Sequence, residues 1–249
     1  MPDPPPHRDA VATSLNLFLN ISRKVTLDRA IISRAMEDYL KAIYRLHEQT
    51  EQVTTSALAD YMKVAPASVT NMCKKLADLK LVEYEPYQGV RFTPAGEKLA
   101  LEIVRHHRLI ELYLAEALNV PWDQVHEEAE KLEHVISEDL EERMAAALGD
   151  PQFDPHGAPI PSRSGTVSQP ESGRLVDMQA GDKLIIVEVD DADPELLRYL
   201  GKMGLYPGTE ILLIACAPFN GPLTLNVGGD QHSLGYQAAK AILVTVQDK

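Results

Sequence analysis

The residues best equipped for chemistry lie together in VHEEAEKLEHVISEDLEERMAAAL, residues 125–148, where imidazoles and carboxylates recur at helical spacing. Taken as one helix at about 100° per residue, the stretch places Glu130 at about 40°, Glu133 at about −20° and His134 at about 80° from His126. Four donors then share one arc. Ala129, Leu132, Ile136 and Leu140 fall on the adjoining arc and are expected to pack as core, so the donor face borders a buried seam. Upstream, His107 and Glu111 stand at i and i+4 and can point together. Asp38, next to the apolar Tyr39, brings a carboxylate from another element. Carboxylates this close repel, and at a core boundary they are costly unless something compensates them. A divalent cation is the simplest compensator. Oxygen and imidazole donors without a thiolate suit Mn²⁺ or Fe²⁺, with Zn²⁺ also open. The alternative is a solvated Glu/His face with His134 satisfied by a backbone carbonyl.

The elements that must position these donors sit in a 249-residue chain, 45% hydrophobic, 24% charged and 6% aromatic, a composition that excludes disordered and fibrous classes. No apolar run is long enough for a bilayer span, and the opening MPDPPPHRDA lacks the order of a secretory signal, so a cytoplasmic protein with no membrane partner is expected. Cys73 and Cys216 lie in separate segments, which supports neither a disulfide framework nor a thiolate zinc site. The net charge of −13 argues against nucleic acid until its distribution is counted. Lys+Arg against Asp+Glu is 4 to 3 over residues 1–33, 8 to 8 over 34–92, 5 to 14 over 93–150 and 7 to 12 over 151–249. The carboxylate excess is greatest where the candidate ligands lie, and residues 34–92 are neutral.

Residues 34–93 predict a winged helix. An amphipathic helix over Met36–Glu48 is followed by a second that Thr54-Thr55-Ser56 can cap, and a third over VAPASVTNMCKKLADLKLV with Pro66 in its first turn. The turn between the last two is short enough for a helix-turn-helix. LVEYEPYQGVRFTPAG then alternates as a hairpin wing about Tyr87-Gln88-Gly89, and Thr93-Pro94 opens the next helix. With the third helix in a major groove, Ala67, Ser68 and Asn71 would meet base edges, and Thr70, Lys74 and Lys75 would lie near phosphates. Residues 94–150 read as a helical domain for dimerisation and metal binding. Residues 151–173, which hold all five prolines and three glycines of DPQFDPHGAPIPSRSGTVSQPESG (150–173), read as a linker. Residues 174–249 carry short β-rich runs, Lys183–Val189, Glu210–Ala215, Leu223–Val227 and Ala241–Val246, and are expected to form a small β-barrel. Residues 1–33 are left as an N-terminal extension, an arm or a tail. The expected class is mainly α with a small barrel.

In MEDYLKAIY, PASVTNMCKKL, HHRLIELYL and VHEEAEKLEHVIS the chain resembles the iron- and manganese-dependent repressors of the diphtheria toxin repressor and manganese transport regulator family. The C-terminal part is similar to the SH3-like domain of ferrous-iron transport accessory proteins. The resemblance implies an activating metal site of Asp38, Glu130, Glu133 and His134. It implies a second site of His107, Glu111 and His126, completed by ligands from the SH3-like domain. Asp193 and Glu195 are the choice there, with a helix cap as the alternative reading of the same residues. Iron-type members hold a cysteine at the Glu130 position and a methionine at the Asp38 position, so the harder donors here favour Mn²⁺ over Fe²⁺. Where barrel-less manganese regulators carry a glutamate three residues after the aspartate, this chain has Lys41, and His107 is open to either site.

The function expected is therefore a manganese-dependent repressor of metal-uptake genes, acting as a homodimer on double-stranded operator DNA, with an iron-responsive repressor as the alternative. Two rivals stand beside it: a metallohydrolase, since Glu/His clusters also activate water, and a winged-helix adaptor whose acids are merely solvated. The hydrolase reading lacks an evident nucleophile, general base or substrate pocket.

Overall fold

The computed structural model describes residues 32–48, 50, 52–86, 88–168 and 170–247. The expected extension over residues 1–33 lies almost wholly outside them, as does Tyr87 of the wing. The chain divides into two compact units at Ala100/Leu101, inside one long helix.

The first unit opens with α1 (Arg34–His47), where Ser33 accepts from Met36 N and Glu37 sits in the first turn with Arg45 and His47 in the last, the charge order a helix dipole favours. Tyr39, Leu40, Ala42 and Ile43 form its buried face. Thr54 caps α2 (Thr55–Met62), accepting from Ala57 N at 3.1 Å. A left-handed Lys63 (φ 55°) stops that helix, and α3 (Pro66–Asp78) begins with its proline where no amide hydrogen bond is needed. Val69, Cys73 and Leu76 bury one face of α3. Strands β1 (Val82–Glu85) and β2 (Gly89–Phe92) pair antiparallel, Val82 opposite Phe92 and Glu85 opposite Gly89. Gly89 has φ 99°, and a Cβ there would lie 2.4 Å from Val53 O, because Val53 bridges to Val90 beside it. Thr93 accepts from Gly96 N at 3.1 Å and starts α4 (Pro94–Leu118).

In the second unit α4 packs with α5 (Val125–Leu132) and α6 (Glu138–Ala147) over Leu109, Ile110, Leu114, Val125, Ala129, Met144 and Ala145. The single helix expected over Val125–Leu148 is in fact two. Ser137 accepts from Leu140 N, and Glu138, Asp139 and Glu141 crowd the first turn behind it; a cap followed by acids stabilises a new helix N-terminus rather than continuation of the old helix. The expected core arc therefore ends at Leu132 and Ile136, and Leu140 is 46% exposed.

The linker expectation is also corrected. Asp154 and residues 156–161 are buried. Asp154 Oδ1 accepts from His156 N at 2.8 Å and Ala158 N at 3.0 Å, closing a tight turn, and the carbonyls of Pro159 and Pro161 accept from Arg108 Nη1 (2.7 Å) and Arg105 Nη1 (2.8 Å) of α4. Proline and glycine here shape a packed strap; most of residues 162–168 are exposed.

The C-terminal strands form an open six-stranded antiparallel sheet, order β3-β8-β4-β5-β6-β7, where β3 is Gly173–Arg174, β4 Lys183–Val189, β5 Glu210–Cys216, β6 Leu223–Val227, β7 Asp230–Leu234 and β8 Ile242–Val246. Among the described residues the edges β3 and β7 do not pair, so the expected closed barrel is absent. The polar β7, DQHSL, carried no apolar run to announce it. Helices α7 (Pro194–Gly201) and α8 (Tyr236–Lys240) pack on a core that includes Leu184, Ile186, Leu197, Leu200, Leu213 and Leu225.

Candidate metal centre

Helix α4 carries His107 and Glu111 one turn apart, both buried, at 2% and 0% exposure. The two ring nitrogens of His107 face different neighbours. Nδ1 lies against Glu133 Oε2; Nε2 lies 2.9 Å from Glu111 Oε1 and 3.1 Å from His126 Nδ1. His126 in turn is 2.9 Å from Glu111 Oε1 and, through Nε2, 3.6 Å from Glu130 Oε1. Donor atoms of His107, Glu130 and Glu133 come within 4.8 Å of one another, as do those of His107, Glu111 and His126. His134 Nε2 stands 3.5 Å from Glu133 Oε1.

A second gathering lies on the far side of Glu111. Its Oε2, buried and without a hydrogen-bond partner, is 4.0 Å from His156 Nδ1, also buried and without one. Asp154 completes a trio with Glu111 and His156 whose donors lie within 4.8 Å. Asp191, 3% exposed in the loop after β4, places Oδ2 at 3.9 Å from His156 Nδ1 and 3.6 Å from His126 Nδ1. Burial would raise the Glu111 carboxyl, but His107 above all, with hydrogen bonds from His107 and His126 and the nearby His156, holds it well below the usual carboxylate range. Burial, then the charge of Glu111, pushes Asp154 up to about 6 against partial relief from His156 and Arg108. Three carboxylates and an imidazole in so dry a place form a donor set that a divalent cation satisfies.

The structure thus brings His107, Glu111, His126, Glu130, Glu133 and His134 together. Asp38 sits half-buried on α1, in the first unit. Asp193 and Glu195 are not part of the gathering: Asp193 caps α7, its Oδ1 accepting from Glu195 N at 2.8 Å and Leu196 N at 3.4 Å, and both residues are exposed. The C-terminal region's acid at the cluster is Asp191. Asp154 and His156 were missed because proline-rich composition read as linker; the signal lay in Asp-Pro-His-Gly, a turn motif with two donor side chains. On α3, Ala67, Ser68, Asn71, Lys74 and Lys75 are exposed and Thr70 is half-buried.

Comparison with known proteins bears on this arrangement. Residues 32–90 match the N-terminal DNA-binding domain of iron-dependent repressors and residues 93–162 their metal-binding and dimerisation domain, while residues 173–246 match the FeoA domain. The diphtheria toxin repressor of Corynebacterium glutamicum is 30% identical over 188 residues, spanning 72% of this chain and 82% of that protein. The chain belongs to the iron-dependent repressor family. Within that family the iron-dependent repressor IdeR of Mycobacterium tuberculosis is 28% identical over 220 residues, covering 84% of this chain and 95% of its own. A manganese-dependent transcriptional repressor solved in complex with manganese superposes with a TM-score of 0.81 at 36% identity, covering 85% of this chain and all of that one (100%). The family is one of metal-dependent transcriptional regulators rather than enzymes, which removes the hydrolase reading. Among the described residues no helix is long and apolar enough to cross a membrane.

Proposed function

We propose that this chain is a manganese-activated repressor that binds operator DNA as a homodimer in the cytoplasm. The observation that carries the choice of metal is the donor chemistry: His107, Glu130 and Glu133 offer one imidazole and two carboxylates, and Glu111, Asp154, His156 and Asp191 offer one imidazole and three. Neither set contains sulfur, and hard oxygen donors suit Mn²⁺ better than softer competitors. When bound, the cation supplies the positive charge that lets these carboxylates ionise side by side. The activating centre is read as Asp38, Glu130, Glu133 and His134, with His107 Nδ1 turned towards Glu133. Glu111, Asp154, His156 and Asp191 are read as the second, with His126 next to both.

In this mechanism the chain's residues do the rest. Asp38 belongs to the DNA-reading unit and Glu133 to the other, so residues of both units would hold the ion, and its binding would couple metal uptake to the DNA-reading unit. In a two-fold dimer that sets the spacing of the two α3 helices to about one DNA turn, roughly 34 Å, or a multiple. Ala67, Ser68 and Asn71 then face base edges, and Thr70, Lys74 and Lys75 the phosphates. A coupling of about 1–3 kcal/mol per site changes operator affinity about 5–150-fold. Fluorescence anisotropy of a promoter fragment titrated with protein under Mn²⁺, Fe²⁺ and Zn²⁺ tests the reading. Manganese-dependent binding that Glu133→Ala and Asp38→Ala each remove is the expected outcome. Equal binding with and without metal overturns it in favour of an adaptor, and a preference for Fe²⁺ would turn it into the iron-responsive repressor.

A further inference from the structure

The second cluster is braced by a residue that ligates nothing. Trp122, the chain's single tryptophan, lies between α4 and α5, and its carbonyl oxygen is 2.8 Å from His156 Nε2. A carbonyl only accepts, so Nε2 carries a proton and Nδ1 is the nitrogen left facing the space it shares with Glu111 Oε2 and Asp191 Oδ2. The indole stacks on the same imidazole, ring centroids 5.8 Å apart and planes at 30°. Tyr206 meets the indole at 4.7 Å, and the indole packs against the core of the C-terminal sheet. Gly201 leaves the room for this: a Cβ there would lie 3.3 Å from indole Nε1 and 2.8 Å from Tyr206 Oη. Next to Trp122 in sequence, Asp123 Oδ2 accepts from Arg198 Nη1 of α7 at 3.0 Å.

We propose that Trp122, seated against Tyr206 and Gly201, is a positioning residue for the second metal centre, setting the tautomer and ring plane of His156. The proposal rests on the reading of that cluster as a cation site. Groups that orient a ligating histidine from behind are worth about 10–100-fold in metal affinity. The carbonyl contributes through the path of the chain, and the indole holds both that path and the ring.

The experiment titrates the full chain with Mn²⁺ by calorimetry and with Co²⁺ by visible absorption and tryptophan fluorescence. The wild type is expected to take up two ions, the second changing Trp122 emission. Trp122→Ala should weaken the second ion about 10–100-fold and alter its cobalt spectrum while the first is unchanged, and Trp122→Phe, which keeps a stacking ring, should return it to within about threefold. Gly201→Ala, which touches no ligand and sits at a position of ordinary φ, should weaken the second ion by displacing the indole. Wild-type affinity and spectrum for the second ion in both Trp122→Ala and Gly201→Ala overturn the positioning role. Should Trp122→Ala fail to fold, Gly201→Ala and Trp122→Phe decide. Uptake of one ion by the wild type overturns instead the reading of the second cluster.

Discussion

The gatherings around His107 and around His156 use the same kinds of donor but are assembled in different ways. Around His107 the donors come from α4, α5 and the residues directly after α5, at spacings a helical wheel displays. Around His156 they come from α4, a proline-rich strap and the loop after β4, segments separated by up to 80 positions in sequence from Glu111 to Asp191. Burial does not separate them: the His107 and Glu133 side chains, at 3% and 2% exposed, are as dry as those of Glu111 and His156 at 0% and 1%, and Glu130 at 38% marks the open rim of the first gathering. Helical periodicity makes a cluster legible when neighbours in space are neighbours along one element. A cluster built from turns is legible only after the chain has been folded.

The largest expected effect separates the two gatherings. Glu133→Ala should abolish metal-dependent DNA binding, a loss of about 100-fold or more at the upper end of a site coupling, measured by anisotropy under Mn²⁺. His156→Ala, which removes a ligand, should leave the first ion in place and weaken the second by more than the about 10–100-fold that loss of a supporting group behind a ligand costs, read by calorimetry. If both variants lost both ions equally, the gatherings would be one centre and the distinction would fall.

His107 with Glu111 and His126 with Glu130 stand together as the periodic reading expects, because i, i+4 spacing on α4 and α5 survives folding, and Glu133 follows directly after α5. That reading failed beyond Leu132, where Ser137 and three acids begin a new helix and leave Leu140 in solvent. At Asp193, chosen from the resemblance, the alternative reading as a helix cap holds: its side chain meets its own helix's free amides, a local need that outcompetes a distant ion. Nothing in composition distinguished Asp154 and His156 from spacer, since the same Pro and Gly that mark linkers also build tight buried turns.

Acidity should sharpen the comparison next. Asp154, with its carboxyl at about 6, carries a proton below that pH which a cation must displace. Affinity for the second ion is expected to fall about tenfold per pH unit below about 6 and to level off above it. The first ion's donors exclude Asp154, so Asp154→Asn should alter the pH dependence of the second ion and leave that of the first unchanged in parallel calorimetric titrations. For the fold itself the signs are opposed. Glu111, lowered from 4.5, adds stability that is present above that value and lost as pH falls through its folded value. Asp154, raised from 3.8, withdraws stability as pH climbs towards 6. Denaturant midpoints of wild type and Asp154→Asn across pH 4–7 separate the two contributions, the variant being the less pH-sensitive above pH 5.

The smallest effect concerns the break in the ligand-bearing helix. Ser137→Ala should cost about 1 kcal/mol in chemical denaturation, as the loss of an N-cap does. Were residues 125–148 one helix, alanine would stabilise it instead.

Gly157 settles how far the parts of the second unit can be treated as separable. It lies with φ 89° where any side chain would strike Val187 O, at 1.9 Å, and beside it His156 O accepts from Val189 N at 2.9 Å. Strap and sheet are thereby sewn along their backbones. Protease nicking in the exposed Ser162–Ser168 stretch should leave both fragments bound to each other, and a gene shortened to end there would encode helices with a raw edge and half of a binding pocket.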